Sequence, residues 1–254
     1  MLDCRKALTE SNGDFEAAID WLRKQGQKVA AKRSDREAKE GVVIAQTTAD
    51  NKSGIVLCIS CETDFVSKNA DFVAFAQSIA DAAIANNVKT AEELNGVAVN
   101  GSTVAELIND KLAAIGEKIA VSKFERVEAP YVASYIHGAN RMGVLVSMTK
   151  EAADAGKDVA MQIAAMNPLA VDETSISPET IAREKEIAIE QIKAEGKPAE
   201  MAEKIALGKV NKFFKENTLM AQAFVKDNSK SVADYLKSID AELKVTDFKR
   251  VALG

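Results

Sequence analysis

Two β-rich runs lie near the start of the chain: Gly41-Val42-Val43-Ile44-Ala45-Gln46-Thr47-Thr48 and Ile55-Val56-Leu57-Cys58-Ile59-Ser60-Cys61. The polar segment between them ends in Gly54. Runs rich in β-branched residues around a short polar turn with glycine are typical of a β-hairpin. Apolar residues then recur at helical spacing from Phe72 to Ala80, which predicts a buried helix over about 76–84 after the hairpin.

The same order of elements returns in the second half of the chain. Residues 131–136 and 143–149 are again β-rich and flank a turn that contains Gly138, and a helical pattern over 158–166 follows them. Residues 243–251 form a further strand-like run. A hairpin plus a helix, found twice, predicts an α+β fold whose core consists of two related α+β subdomains.

The first 38 residues are predicted to be helical. Gly13 can take the left-handed position that ends a first helix, and Asp14 can cap a second one. Two helices of about ten residues each cannot bury a core alone, so we expect them to dock elsewhere or to lack a neighbour. Residues 24–39 mix basic and acidic side chains without an apolar stripe, which favours a solvated helical tether over a nucleic-acid patch.

A helical hairpin is predicted as an insertion in the second half of the chain. Ser177 can cap its first helix, Pro178 suits the first helical position, and Gly196-Lys197-Pro198 separates the two arms. The strand-like run near the C-terminus then completes the second subdomain. The predicted domains are residues 1–38, 39–126, 127–176 together with 218–254, and the inserted hairpin 177–217.

The composition is that of an ordinary globular protein. The chain has 254 residues, a net charge of -5 and 47% apolar residues. No apolar run approaches the roughly 20 residues that span a bilayer, and the start lacks the layout of a secretory signal. We therefore expect a cytoplasmic protein without a membrane segment. The acidic balance argues against direct binding to nucleic acid.

Residues that carry enzyme chemistry are scarce, since the chain has three cysteines and a single histidine, His137. Cys58 and Cys61 have a redox or metal spacing, but residues three apart in a strand point to opposite faces. No second Cys or His pair exists to complete a zinc site. We expect no enzyme activity, no cofactor and no metal. A thiol-dependent enzyme that uses Cys61, with His137 as its base, is kept as an alternative.

A polar segment with one aromatic residue follows the second strand directly: Glu62-Thr63-Asp64-Phe65-Val66. Thr63 or Asp64 can cap a helix at this place. Two interpretations remain open from the spacing alone. Either Phe65 belongs to the core and Asp64 only caps, or an exposed ring beside a carboxylate forms an interface hot spot.

Several motifs resemble the bacterial elongation factor Ts family. The most specific are Leu2-Asp3-Cys4-Arg5-Lys6-Ala7-Leu8-Thr9-Glu10-Ser11-Asn12-Gly13-Asp14 and Cys61-Glu62-Thr63-Asp64-Phe65-Val66-Ser67-Lys68. Shorter ones are Tyr135-Ile136-His137-Gly138, Gly143-Val144-Leu145-Val146, Gly116-Glu117-Lys118-Ile119 and Gly196-Lys197-Pro198. The motifs stand in the family's order. Because the sequence opens at the first motif and stops at Gly254, we expect the family's preceding helix and any C-terminal extension to be missing.

The resemblance implies a guanine-nucleotide exchange factor for the GTPase elongation factor Tu, with no cofactor of its own. It also implies a ubiquitin-associated-like helical N-terminal segment, a core of two related α+β subdomains and an inserted coiled-coil hairpin. A homodimer through that hairpin is left open. A protein-binding module of ubiquitin-fold type, built on the N-terminal helices, is a further alternative.

Candidate site residues follow from the same resemblance. Thr63, Asp64, Phe65 and Val66 match the stretch linked to dislodging magnesium from the partner. Further partner contacts are implied at Leu2, Asp3, Cys4, Arg5, His137 and Gly138. None of these residues is expected to be catalytic.

Overall fold

The structure is a computed structural model that describes residues 2–33, 35–194 and 199–254. Helices and antiparallel sheet are both present, which is compatible with the predicted α+β class. Within the described ranges, no helix combines the length and the apolar character needed to cross a bilayer.

The chain contains the predicted hairpins and the helices that follow them, together with further elements between residues 91 and 128 that the pattern does not predict. The helices are α1 (Leu2–Glu10), α2 (Phe15–Arg33), α3 (Asp64–Ser67), α4 (Ala70–Ala85), α5 (Ala91–Gly96), α6 (Val104–Ile115), α7 (Ala153–Met166), α8 (Pro178–Ala194), α9 (Ala199–Asn217) and α10 (Val232–Ile239). The strands are β1 (Glu40–Thr47), β2 (Ser53–Cys61), β3 (Ala98–Val99), β4 (Ser102–Thr103), β5 (Ala120–Glu128), β6 (Tyr131–His137), β7 (Met142–Met148), β8 (Ala223–Phe224), β9 (Asp227–Ser231) and β10 (Val245–Ala252).

The chain divides into two compact units. Unit 1 comprises Met1–Val127, Ile136–Gly143 and Val251–Gly254, and unit 2 comprises Glu128–Tyr135 and Val144–Arg250. One three-stranded sheet has the strand order β1-β2-β5, and another has the order β10-β7-β6. The four predicted domains divide the chain differently, and their boundaries remain a prediction.

The predicted hairpin forms the centre of unit 1. β1 and β2 pair antiparallel, from Glu40 opposite Cys61 to Thr47 opposite Gly54. The turn between them places Asn51 in the left-handed region at φ 53°, a conformation that asparagine tolerates better than most residues. β2 is the central strand of its sheet, and all nine of its residues are buried.

Both faces of β2 are covered within unit 1. On one face, Leu57 packs in a core with Phe72 of α4 and with apolar residues of α6. On the other face, a Cβ at Gly143 would lie only 2.9 Å from the side chains of Val43 and Val56. A strand that is buried on both faces reads as a continuous apolar run, which explains the pattern in the sequence.

Several predicted helix ends are confirmed by the backbone. Gly13 adopts φ 82° after α1, and the Asp14 carboxylate accepts the N–H of Ala17 at 2.8 Å. Ser177 Oγ accepts the N–H of Thr180 at 3.2 Å at the start of α8. The helix predicted after the hairpin is α4, although it begins earlier than the apolar spacing indicates.

The predicted solvated tether differs from the structure. Residues 24–33 are the second half of α2, which packs against α6. A Cβ at Gly26 would lie 3.0 Å from the Cβ of Ala113, so the glycine permits a close approach of the two helices. This contact supplies the docking site that the short N-terminal helices need. Two small residues make this close contact, and a search for large apolar side chains overlooks them.

Unit 2 repeats a hairpin followed by a helix. β6 and β7 neighbour each other in the sheet, β10 adds the third strand as predicted, and α7 follows β7 in the chain. Gly156 of α7 is buried, and a Cβ there would lie 2.6 Å from the Cβ of Ala133 and 3.2 Å from Met148 Sδ. Only glycine allows the helix to lie so close to the sheet.

α8 and α9 form the helical hairpin that the sequence predicts. Ala188, Ile192 and Ala206 are buried together between the two arms. Leu207, one residue further along α9, points outward and is 59% exposed. The predicted separator Gly196-Lys197-Pro198 lies outside the described residues.

Replacing Gly156 by alanine should destabilise unit 2 by about 1–3 kcal/mol, because the added methyl group overlaps a packed neighbour. Gly208→Ala is the matched control, since nothing lies within 4 Å of the Cβ position there. Alanine in that helix should be neutral or stabilising by up to about 1 kcal/mol. Thermal unfolding followed by circular dichroism measures both variants. Equal changes in Tm would contradict the close packing of α7.

Candidate partner-binding site

The segment after β2 turns sharply out of the buried sheet. Thr63 is the extended residue that precedes α3, so the predicted helix start is confirmed. Its hydroxyl makes no capping bond to the helix and instead donates to Glu117 Oε1 at 2.7 Å. Val66 is half-buried against the core of unit 1 and anchors the short helix to that core.

Phe65 lies at the tip of this turn. Its side chain is 86% exposed, so the interpretation that places it in the core is wrong. Isolated large apolar residues on a surface are common, but a ring this exposed on a turn braced by hydrogen bonds can enter a pocket on another protein. The ring can bury apolar area against a partner without losing any packing in the free chain, because it is already exposed.

Asp64 stands beside the ring and forms an ion pair with Lys68 at 2.6 Å, one helical turn later. The hydrogen bond from Lys68 lowers the pKa of the Asp64 carboxyl, so the group is ionised at neutral pH. Exposed pairs of this kind contribute little to stability, because water screens the two charges. The carboxylate can therefore exchange Lys68 for a donor on a partner at little cost.

A groove of about 350 Å³ opens directly beside Phe65. Apolar side chains line much of it, including Ile115 at the end of α6. Asn69, Asp71 and Lys111 also line it, and the Lys111 ammonium lies 4.8 Å from the centroid of the Phe75 ring. The groove and the exposed ring form one continuous surface of mixed character.

Glu62 lies at the base of the turn and pairs with two positively charged side chains. It accepts hydrogen bonds from Arg33 Nη1 at 2.8 Å, from Arg36 Nη1 at 3.1 Å and from the backbone N–H of Lys118 at 2.6 Å. The Lys118 hydrogen bond, with the two guanidinium groups in support, lowers the pKa of Glu62 to about 2. Glu62 and its neighbour Glu117 were not among the predicted site residues.

The other predicted contact residues occupy separate elements of unit 1. Cys4 and Arg5 are exposed on α1, whereas the side chains of Leu2 and Asp3 lie outside the described residues. His137 and Gly138 are exposed at the β6–β7 turn, where Gly138 has φ 63°. The partner-binding roles of all these residues, and of 63–66, remain predictions.

The β6–β7 turn is fastened to the first sheet of unit 1. The N–H of Val43 donates to the carbonyl of Asn140 at 2.7 Å, and Asn140 Nδ2 donates to the carbonyl of Val43 at 3.1 Å. Arg141 pairs with Glu40 at 3.0 Å in the same region. These contacts give the segment that carries His137 a fixed place on unit 1.

Cys58 and Cys61 are poorly placed for thiol chemistry. Cys61 faces the core of unit 1 and Cys58 faces the opposite side of β2, as predicted, but both are buried. Burial, reinforced by the charges of Glu117 and Glu40, raises the pKa of Cys61 to about 12. A thiol this hard to ionise is a weak nucleophile, which disfavours the alternative of a thiol-dependent enzyme.

Comparisons with known proteins agree with the motifs. The profile of the family described as Elongation factor TS matches residues 62–254. The Elongation factor Ts of Christiangramia forsetii is 49% identical over the whole of this chain and 93% of that protein. Those of Flavobacterium psychrophilum and Cytophaga hutchinsonii are 50% and 47% identical, with the same coverage. The chain belongs to the elongation factor Ts family.

Membership of this family gives the chain its general role. It is a nucleotide exchange factor that acts in translation elongation, during protein biosynthesis. The family expected from the sequence motifs is thereby confirmed. The profile match begins at Glu62, so it includes the whole turn that carries Phe65.

Replacing Glu62 by glutamine should make stability respond differently to pH. The folded-state pKa of about 2 lies below the ordinary value of 4.5, so ionised Glu62 stabilises the fold above about pH 4.5. That contribution is lost as the pH falls towards 2. The difference in Tm between the parent chain and Glu62→Gln should therefore be largest near neutral pH and shrink in acid. A difference that stays constant from pH 7 to about pH 2.5 would contradict this assignment.

Proposed function

We propose that this chain binds elongation factor Tu in its GDP form and speeds GDP release by disturbing the magnesium and phosphate site of that GTPase. The observation that carries the proposal is the Phe65 ring, 86% exposed at the tip of a turn fastened to the sheet. Thr63, Asp64, Phe65 and Val66 are the proposed contact segment.

The proposed mechanism uses binding energy rather than covalent chemistry. A GTPase holds GDP through backbone N–H groups at a helix N-terminus, a lysine and a magnesium ion. Moving the loop that supports these groups weakens several charge-assisted contacts at once. Burial of an aromatic hot-spot residue in a partner contributes about 2–4 kcal/mol, which is enough to offset such a displacement. Phe65 supplies this wedge, and Asp64 accepts a hydrogen bond from the displaced segment.

Linkage makes the same interaction reversible. If the factor weakens the binding of GDP to the GTPase, GDP weakens the binding of the factor to the GTPase by the same amount. The factor therefore leaves when nucleotide returns, and no reaction of its own is needed. We accordingly propose that the chain is not an enzyme and uses neither a cofactor nor a metal of its own.

Further contacts with the partner are proposed at Leu2, Asp3, Cys4 and Arg5 of α1, and at the β6–β7 turn. His137 and Gly138 in that turn are exposed, which supports the proposal. The docking of α2 on α6 argues against a separate protein-binding module of ubiquitin-fold type, because the N-terminal helices share the packing of unit 1.

The finer architecture is also part of the proposal. We propose a ubiquitin-associated-like segment at residues 1–38, two related α+β subdomains at 39–126 and at 127–176 with 218–254, and an inserted coiled-coil hairpin at 177–217. The recurrence of a hairpin followed by a helix in both units supports the related subdomains. A homodimer through the hairpin, a cytoplasmic location and the lack of direct nucleic-acid binding belong to the same proposal.

Replacing Phe65 by alanine should slow the release of labelled GDP from elongation factor Tu by about tenfold or more at saturating factor. Tm should change little, because the ring is exposed in the free chain. Stopped-flow fluorescence with a labelled nucleotide measures the release rate.

Leu169→Ala is the matched control, since that side chain is 60% exposed and belongs to unit 2. It should leave the release rate at the parent value. Parent-like release with Phe65→Ala, or an equal loss with Leu169→Ala, would overturn the role assigned to Phe65.

A further inference from the structure

Two glutamates link the chain segment after β2 to the segment before β5. Ser60 Oγ donates to the carbonyl of Ala120 at 3.3 Å, and Ser53 Oγ donates to the carbonyl of Val127 at 3.2 Å, so the two strands run in opposite directions. The residues just after β2 are therefore neighbours of those just before β5. Glu62 belongs to the first segment and Glu117 to the second.

The two segments exchange hydrogen bonds through these carboxylates. Glu117 Oε2 accepts the N–H of Glu62 at 3.1 Å and the N–H of Thr63 at 3.0 Å, and Glu117 Oε1 accepts the Thr63 hydroxyl at 2.7 Å. In return, Glu62 Oε1 accepts the N–H of Lys118 at 2.6 Å. Each carboxylate thus binds the backbone beside the other, and we call Glu62 and Glu117 the carboxylate clamp.

We propose that Glu117 is a positioning residue for Phe65, and that the carboxylate clamp holds the exposed ring in its binding conformation before the partner arrives. This inference rests on the proposed function, because it concerns how the same turn is prepared. It assigns a task to a residue outside the proposed contact segment 63–66.

The clamp adds to other contacts of the turn, since Val66 packs against the core of unit 1 and Cys61 Sγ donates to the carbonyl of Thr63 at 3.2 Å. α3 has only four residues, far below the length at which an isolated helix is stable. Thr63 makes no side-chain cap to α3, and Phe65 is largely exposed. Hydrogen bonds to an ionised carboxylate are roughly twice as strong as neutral ones, and three of them end on Glu117.

The other half of the clamp connects the turn to the N-terminal helices. Arg33 at the end of α2 and Arg36 after it both pair with Glu62, and Lys118 Nζ donates to the carbonyl of Arg36 at 3.0 Å. The side chain of Glu62 is only 14% exposed, so these charge-assisted bonds are partly shielded from water. Movement of the turn is thereby resisted from the side of α2 as well as from β5.

The proposal predicts a particular kinetic signature for Glu117→Ala. A flexible turn must be ordered when it binds, and this ordering lowers affinity, whereas the partner's own surface orders the turn once it is bound. The concentration of factor that gives half-maximal GDP release should rise by about tenfold, while the maximal release rate stays within about threefold of the parent. Phe65→Ala should instead lower the maximal release rate and leave the half-maximal concentration nearly unchanged.

Hydrogen exchange of the free chain gives a readout independent of nucleotide release. In Glu117→Ala, amides of the segment 62–66 should exchange about tenfold faster, with amides of α4 unchanged. Glu117→Gln keeps one acceptor oxygen and should recover part of both effects.

Thr63→Val removes a single hydroxyl donor at nearly constant volume and tests the clamp if Glu117→Ala folds poorly. Glu125→Ala, an exposed carboxylate on β5, is the matched control.

Two results would overturn the proposal: unchanged hydrogen exchange over 62–66 in both Glu117→Ala and Thr63→Val, or faster exchange there with an unchanged half-maximal concentration. The failure of the proposed function is separate. Parent-like release with Phe65→Ala would remove the role of the ring whatever the clamp variants do. If Phe65→Ala slows GDP release as expected and the clamp variants behave like the parent, only the positioning role of Glu117 is wrong.

Discussion

Burial of β2 on both faces is the constraint on which the rest of unit 1 depends. All nine residues of the strand are covered, by α4 and α6 on one side and by the segment around Gly143 on the other. Burial on both faces fixes the residue at which the strand ends. The chain then passes from the buried Cys61 to the exposed Phe65 within four residues. The position of Phe65 follows from that abrupt exit.

Backbone groups freed at the end of such a strand need partners, since unpaired buried donors destabilise a fold. Here the N–H groups of Glu62 and Thr63 find theirs in Glu117. The same charges also act against thiol chemistry, because Glu117 adds to the burial that keeps Cys61 protonated. One acidic neighbourhood thus supports a turn suited to binding and suppresses the reactivity of the cysteine beneath it.

Much of this arrangement could be predicted from the sequence. The hairpin, α4, α7, β10 and the helical hairpin were visible because apolar periodicity and caps such as Asp14 and Ser177 act locally. α6 and β5 were not identified, and neither was the docking of α2, which depends on the small residues Gly26 and Ala113. Glu117 could not be found from spacing, because its partners lie 54 and 55 residues earlier in the chain. Phe65 stayed ambiguous, since exposure depends on where the sheet ends.

We propose that this chain and GDP weaken each other's binding to elongation factor Tu, through a turn that perturbs the nucleotide site. Isothermal titration of the chain into nucleotide-free and into GDP-bound elongation factor Tu tests it most directly. We expect binding to be at least about a hundredfold weaker when GDP is present, which is the upper range of ordinary coupling between two sites. Equal affinity for the two forms would contradict it.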